Sequence, residues 1–179
     1  MGDVEKAREM LERALELGTG LSNRDRVRLV RLVIEITGKL IKKEPENVEA
    51  LELRARALRL LKRYDETLET VERILKLDPR NKMAMRLKID VLRAKDRDEE
   101  AYELARKAVE EYGVKEALFD LAEILVTLGR RDEAEKLAWK AYKEIRGREA
   151  FETLGKILLI QGKVDEALKI LKKGLKGAS

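Results

Sequence analysis

A spacing of 34 residues constrains this chain more than any other feature. Pro45 and Pro79 stand that far apart, each inside a similar run: Ile41-Lys42-Lys43-Glu44-Pro45-Glu46-Asn47 and Leu75-Lys76-Leu77-Asp78-Pro79-Arg80-Asn81. The register continues without proline. Arg63-Tyr64-Asp65-Glu66-Thr67-Leu68 returns as Arg97-Asp98-Glu99-Glu100-Ala101-Tyr102, as Arg131-Asp132-Glu133-Ala134-Glu135 and as Val164-Asp165-Glu166-Ala167-Leu168. A fixed period of this size means stacked supersecondary units, each too small to bury its apolar side alone. It moves the question of function from a catalytic pocket to an extended surface.

The units read as helix-turn-helix. Leu51, Ala55, Leu58 and Leu61 step by four, three and three, which lines one face of a helix. A second stripe follows in Leu68, Val71 and Ile74 or Leu75, with Asp65 expected as its N-cap. Pro79 then stands where proline cannot continue the hydrogen-bond ladder. Residues 48–81, 82–114, 115–147 and 148–179 repeat this plan. Gly129 and Gly162 occupy matching inter-helix turns, and Gly113 and Gly147 are expected to close units as C-caps.

Residues 1–47 are an atypical hairpin. Val4, Ala7, Leu11, Ala14 and Leu15 mark a short amphipathic helix over residues 3–17, and a loop follows at Gly18-Thr19-Gly20-Leu21. Ser22 caps a longer helix reaching about Lys43, with Asp25 in capping-box position. Gly38 is a weak point inside it. Its apolar face, from Val27 to Ile41, is wider than one neighbouring helix can cover. Ten helices in five antiparallel pairs are expected, with no strand.

Composition limits the chemistry. Charged residues make up 42% of the chain and aromatics 4%, with the two signs interleaved, as on solvated helix faces. There is no cysteine and no histidine, which removes thiolate chemistry and the commonest general base and metal ligand. Carboxylates abound, but at the spacing of surface ion pairs along helices. Gly18-Thr19-Gly20 lacks the strand before it and the Lys-Ser/Thr after it that a phosphate loop needs. Asp96-Arg97-Asp98 lacks the glycine of a calcium loop, Ala101 standing there instead. The residues thus point away from an enzyme and imply no cofactor. No secretory signal or membrane span is visible, so a cytoplasmic location is the default expectation. Scarce Asn and Gln beside abundant Lys, Arg and Glu fit either a thermostable natural protein or an idealised design.

The repeat resembles that of the tetratricopeptide-repeat family. The first helix carries a large, then a small, then a large residue: Leu51, Ala55 and Leu58; Leu118, Ala122 and Leu125; Phe151, Gly155 and Leu158, with Ile89 a bulky exception between Met85 and Leu92. Ala101, Ala134 and Ala167 open the second helix, where Thr67 is the less usual choice. Ala108 and Ala141 match the small residue near that helix's end, from which Ile74 departs. Gly2-Asp3-Val4-Glu5-Lys6-Ala7 also echoes Gly162-Lys163-Val164-Asp165-Glu166-Ala167, which leaves open a degenerate first unit or an array cut from a longer one.

The resemblance implies a right-handed, all-α superhelical array of about five helix pairs whose first helices line a concave wall. It implies a non-catalytic scaffold for a protein or peptide partner. On that wall Arg56, Arg59, Arg86 and Arg93 form a basic stretch, and Phe119, Val126 and Leu159 an apolar one. An extended peptide with acidic residues and an apolar anchor would suit them. The competing expectation is that these arginines pair with Glu52, Asp90 and their neighbours on a solvated face. Two other readings remain: homo-oligomerisation through helix 22–43 or the last helix, and nucleic-acid binding through Arg24, Arg28 and Arg31. Scarce stacking aromatics and interleaved acidic residues argue against the latter.

Overall fold

The computed structural model of the chain describes residues 2–16, 22–145 and 147–176. They form ten helices, and none of the described residues lies in a strand. The helices are α1 (Gly2–Leu15), α2 (Asn23–Lys43), α3 (Val48–Leu60), α4 (Tyr64–Leu77), α5 (Lys82–Ala94), α6 (Asp98–Glu110), α7 (Ala117–Thr127), α8 (Arg131–Glu144), α9 (Arg148–Ile160) and α10 (Val164–Lys176). The chain divides into two compact units, Met1–Val91 and Leu92–Ser179, with the boundary inside α5.

In the first unit, α2 packs against both α1 and α3. Val4, Ala7 and Leu11 of α1 meet Val30, Val33 and Ile34 of α2 and Leu53, Ala57 and Leu58 of α3 in one core. The wide apolar face of α2 is therefore largely internal, because two helices cover it rather than one. Val27 and Leu32 remain partly open, at 38% and 42% exposure. A second core joins α3, α4 and the start of α5 through Leu51, Ala55, Val71, Ile74 and Ala84. Thr67 is fully buried there. Its hydroxyl donates to the Arg63 carbonyl at 2.7 Å, so no polar atom of that side chain is left unpaired.

The second unit repeats this scheme. Ala122, Leu125, Ala134, Ala138, Leu154, Ile157, Leu158, Ala167 and Ile170 close the core of α7 to α10. Trp139 and Tyr142 of α8 meet edge to face at 5.7 Å, and Tyr142 meets Phe151 of α9 likewise at 5.3 Å. These aromatics are packing between helix pairs. Gly155 permits the closest approach: a Cβ there would lie 2.6 and 2.7 Å from Cδ2 and Cγ of Leu171.

Capping follows the repeat. Ser22 accepts from the Asp25 amide at 3.2 Å, as expected of a capping box. Asn47 and Asn81, in the two proline runs, accept from the Ala50 and Ala84 amides at 3.0 and 2.9 Å and so start α3 and α5. Asp65 is no N-cap. α4 begins at Tyr64 with Arg63 as N-cap, and no side chain caps it. Instead the Arg63 guanidinium forks onto Glu66 at 2.5 and 2.6 Å, an arrangement that recurs in Arg97–Glu100 and Arg130–Glu133.

The turn between paired helices is one motif used four times. The amides of Arg63, Arg97, Arg130 and Lys163 reach back to the carbonyls of Leu58, Leu92, Leu125 and Leu158 at 2.8–3.0 Å. This is the Schellman closure, which places one residue in the left-handed region. Gly129 and Gly162 occupy that position with φ of 76° and 78°, while Lys62 and Asp96 hold it at 56° despite their side chains. The Asp96-Arg97-Asp98 segment is thus an inter-helix turn. Gly147 serves as the N-cap of α9 rather than closing α8, whose C-cap is Ile145. The loop expected at Gly18–Leu21, with its phosphate-loop reading, lies outside the described residues.

Candidate interaction surface

Helices α3, α5, α7 and α9 carry the residues singled out for binding. In the first unit, Arg59 near the end of α3 is 28% exposed. Its Nε and Nη2 donate to Asp90 of α5 at 2.5 and 3.1 Å, a bidentate clamp. That hydrogen bond raises the Arg59 pKa above its ordinary value, against the opposing effect of partial burial. The same guanidinium lies 5.3 Å from the centre of the Tyr64 ring. Asn81 ties the other end of these helices together, its Nδ2 donating to Glu52 at 2.8 Å. Arg56 is half-buried, and its guanidinium has no hydrogen-bond or ion-pair partner among the described residues. Arg86 is also half-buried and has a partner of its own.

In the second unit, Glu123 of α7 stands between two cations. Arg93 Nη1 donates to Oε2 at 2.9 Å, and Lys156 Nζ of α9 donates to Oε1 at 2.9 Å. Arg93 and Glu123 are each 25% exposed, so this charge is largely withdrawn from water. Burial pushes the Glu123 carboxyl up, but the hydrogen bonds from Lys156 and Arg93 outweigh it and hold it below its ordinary value. Leu159, one turn beyond Lys156 in sequence, is 45% exposed, and Val126 is half-buried against the core.

Phe119 requires a correction. It is 3% exposed and packs with Leu118, Ala141 and Ala150, so its ring is core and not a surface anchor. The helix keeps the phase that the register implies, with Leu118, Ala122 and Leu125 all buried, so Phe119 is withdrawn from the surface because Ala141 of α8 and Ala150 of α9 pack against it.

Of the four arginines, then, Arg59 and Arg93 are fastened by carboxylates on the next first helix, while Arg56 has no partner among the described residues. Sequence reasoning weighed Asp90 as a partner of these arginines but gave Glu123 and Lys156 no part. The usable signal was an offset: Arg59 to Asp90 spans 31 residues and Arg93 to Glu123 spans 30, one repeat less about one helical turn. Among the described residues, no group of three or more acidic side chains is placed to hold a metal, and no helix is long and apolar enough to cross a membrane.

These features define an all-α helical repeat array. Residues 63–116 match the family model for the tetratricopeptide repeat. The structure of TTC0263, a thermophilic repeat protein of this type from Thermus thermophilus, is similar with a TM-score of 0.73. The likeness covers 95% of this chain and 90% of that one at 20% identity. MamA is similar with a TM-score of 0.63, over 87% of this chain and 94% of that one at 21% identity. YrrB, described as a repeat protein of this type with an unusual peptide-binding site, has a TM-score of 0.59 over 76% and 72% of the two chains at 24% identity. At these identities the likeness is one of fold. A sequence comparison with curated proteins finds no match. The chain is thus similar in fold to tetratricopeptide-repeat proteins, with the family's own pattern matched over residues 63–116.

Proposed function

We propose that the chain is a non-catalytic scaffold that binds a peptide or helix of another protein on the faces of its first helices. The repeats 48–81, 82–114, 115–147 and 148–179 each contribute one such helix. The observation that carries this reading is the fixed, half-withdrawn charge on these helices. Arg59 is clamped by Asp90, and Glu123 is held between Arg93 and Lys156. Side chains ordered before a partner arrives lose little freedom when it docks, which favours recognition over a merely solvated face. The peptide-binding site in YrrB's description supports the same direction.

Each unit has its own docking position. In the first, unpaired Arg56 receives a carboxylate of the partner. In the second, Leu159 and Val126 receive an apolar side chain. The test uses fluorescein-labelled peptides carrying Asp/Glu or Leu/Phe, read by anisotropy. Arg56→Glu is expected to weaken acidic peptides at least tenfold, and Leu159→Glu to weaken apolar ones. Unchanged affinity of acidic peptides for Arg56→Glu would remove the first position, and the same result with Leu159→Glu and apolar peptides would remove the second.

A further inference from the structure

A groove of about 460 Å³ opens in the first unit, with α2 and α4 as its sides and α3 as its floor. Arg54 of α3 lines that floor, half-buried, and its Nη1 donates to the Ile34 carbonyl of α2 at 2.9 Å. Gly38 of α2 makes room for this contact, since a Cβ there would lie 3.1 Å from Nη1. The repeat shows what is unusual here. One period of 34 residues further on, Lys88 stands in the place of Arg54 and Glu72 in the place of Gly38. There the two side chains pair, Lys88 Nζ donating to Glu72 at 3.1 Å. In the second unit the position of Arg54 is held by Leu121 and Leu154, both buried, which need no partner. Arg54 thus combines a half-withdrawn guanidinium with a glycine where its repeat equivalent has a carboxylate. The carboxylates lining the groove do not make up for this. Glu35 is held by Lys39 at 2.6 Å and Glu66 by the Arg63 fork, while Glu69 is exposed and forms no ion pair among the described residues.

We propose that this groove binds an acidic side chain of a protein partner, whose carboxylate lies on the Arg54 guanidinium in the space beside Gly38. A guanidinium takes a carboxylate through two parallel hydrogen bonds, and the Ile34 carbonyl occupies only one nitrogen of Arg54. Lys42 and Arg73 line the same groove without a carboxylate partner among the described residues, Arg73 donating to the Pro45 carbonyl, and they add to the positive field. Glu35, Glu66 and Glu69 on the same walls favour a singly charged group over a phosphate dianion. The site is separate from the first-helix face that carries Arg56, because residues two apart on α3 point about 200° from each other. A lone carboxylate is held weakly, so a partner gains further affinity from contacts along the groove.

The test uses the whole chain with N-acetylglutamate α-amide as the probe, read by amide NMR. Titration is expected to shift the Gly38 and Thr70 signals and to saturate at millimolar probe, the uncharged glutamine analogue giving no shift. Arg54→Met is expected to weaken binding at least tenfold. Arg56→Glu should leave it unchanged, which separates this site from the one on the first helices. Gly38→Glu supplies the carboxylate from within, as Glu72 does for Lys88. It is expected to abolish probe binding and to raise the urea midpoint above that of Gly38→Gln, a difference that should vanish in an Arg54→Met background. Inorganic phosphate is expected to bind more weakly than the probe. A probe that moves neither signal, binding that survives Arg54→Met or Gly38→Glu or is lost in Arg56→Glu, no gain of Gly38→Glu over Gly38→Gln, or tighter binding of phosphate would each overturn the proposal.

Discussion

Replacing Gly155 by alanine sets two effects of known sign against each other. In the middle of α9, alanine is favoured over glycine by about 1 kcal/mol of helix propensity. Against it stands Leu171 of α10: the new Cβ would lie 2.6, 2.7 and 3.2 Å from its Cδ2, Cγ and Cδ1. Ordinary carbon contacts lie near 3.5–4.0 Å, so the overlap is roughly 1 Å, and overpacking of this kind costs about 1–3 kcal/mol. The net expectation is destabilisation by about 1 kcal/mol. All three crowding atoms belong to one side chain and lie beyond its Cβ. In a Leu171→Ala background the clash is gone, and Gly155→Ala should there stabilise by about 1 kcal/mol. The double-mutant cycle should therefore show a coupling of about 2 kcal/mol. Urea unfolding read by the single tryptophan, Trp139, reports this neighbourhood, since its ring packs on the same core. Far-UV circular dichroism alongside it shows whether the array unfolds in parts. Additive effects, or stabilisation by Gly155→Ala alone, would refute the close-approach reasoning.

Four further outcomes follow from the same geometry. Lys62→Gly should stabilise by about 1 kcal/mol and Gly129→Ala should cost a similar amount, because both positions hold the left-handed turn residue; denaturation midpoints read both. Asn81→Ala should cost about 1–2 kcal/mol in thermal or urea unfolding, since one side chain both caps α5 and holds Glu52. Gly38→Ala should be near neutral, its propensity gain offset by displacement of Arg54, whose Nη1 lies 3.1 Å from the new Cβ and donates to the Ile34 carbonyl. In Arg54→Met the same substitution should stabilise. Finally, the Glu123 carboxyl has a folded pKa below its usual 4.5, so its contribution to stability is complete above that value and is lost as pH falls through the lower folded one. Glu123→Gln should flatten that acid limb of the stability curve, and an unaltered limb would contradict the assigned pairing.

Local pattern made much of the architecture legible. The apolar stripe Leu51-Ala55-Leu58, the Ser22 cap and the glycine turns at Gly129 and Gly162 all stand where the sequence places them, because period, capping and turn chemistry act over a few residues. Asn47 and Asn81 are equally readable as caps, although the proline two residues before each is the louder signal. The candidate surface was only half legible. Leu159 is exposed, but Phe119 is not, and Arg59 and Arg93 are fastened by Asp90 and Glu123.

By itself the sequence determined that this chain is a series of amphipathic helix pairs at a fixed period, and where those pairs turn. The tertiary structure decided which side chains of the first helices remain open. That depends on the rotation of each helix about its own axis and on how near its neighbour lies. A neighbour packed over Phe119 or a missing methyl at Gly155 changes what is open while leaving the repeat intact. Periodicity is set along the chain, whereas burial and ion pairing are set across helices by distances of about an ångström or less.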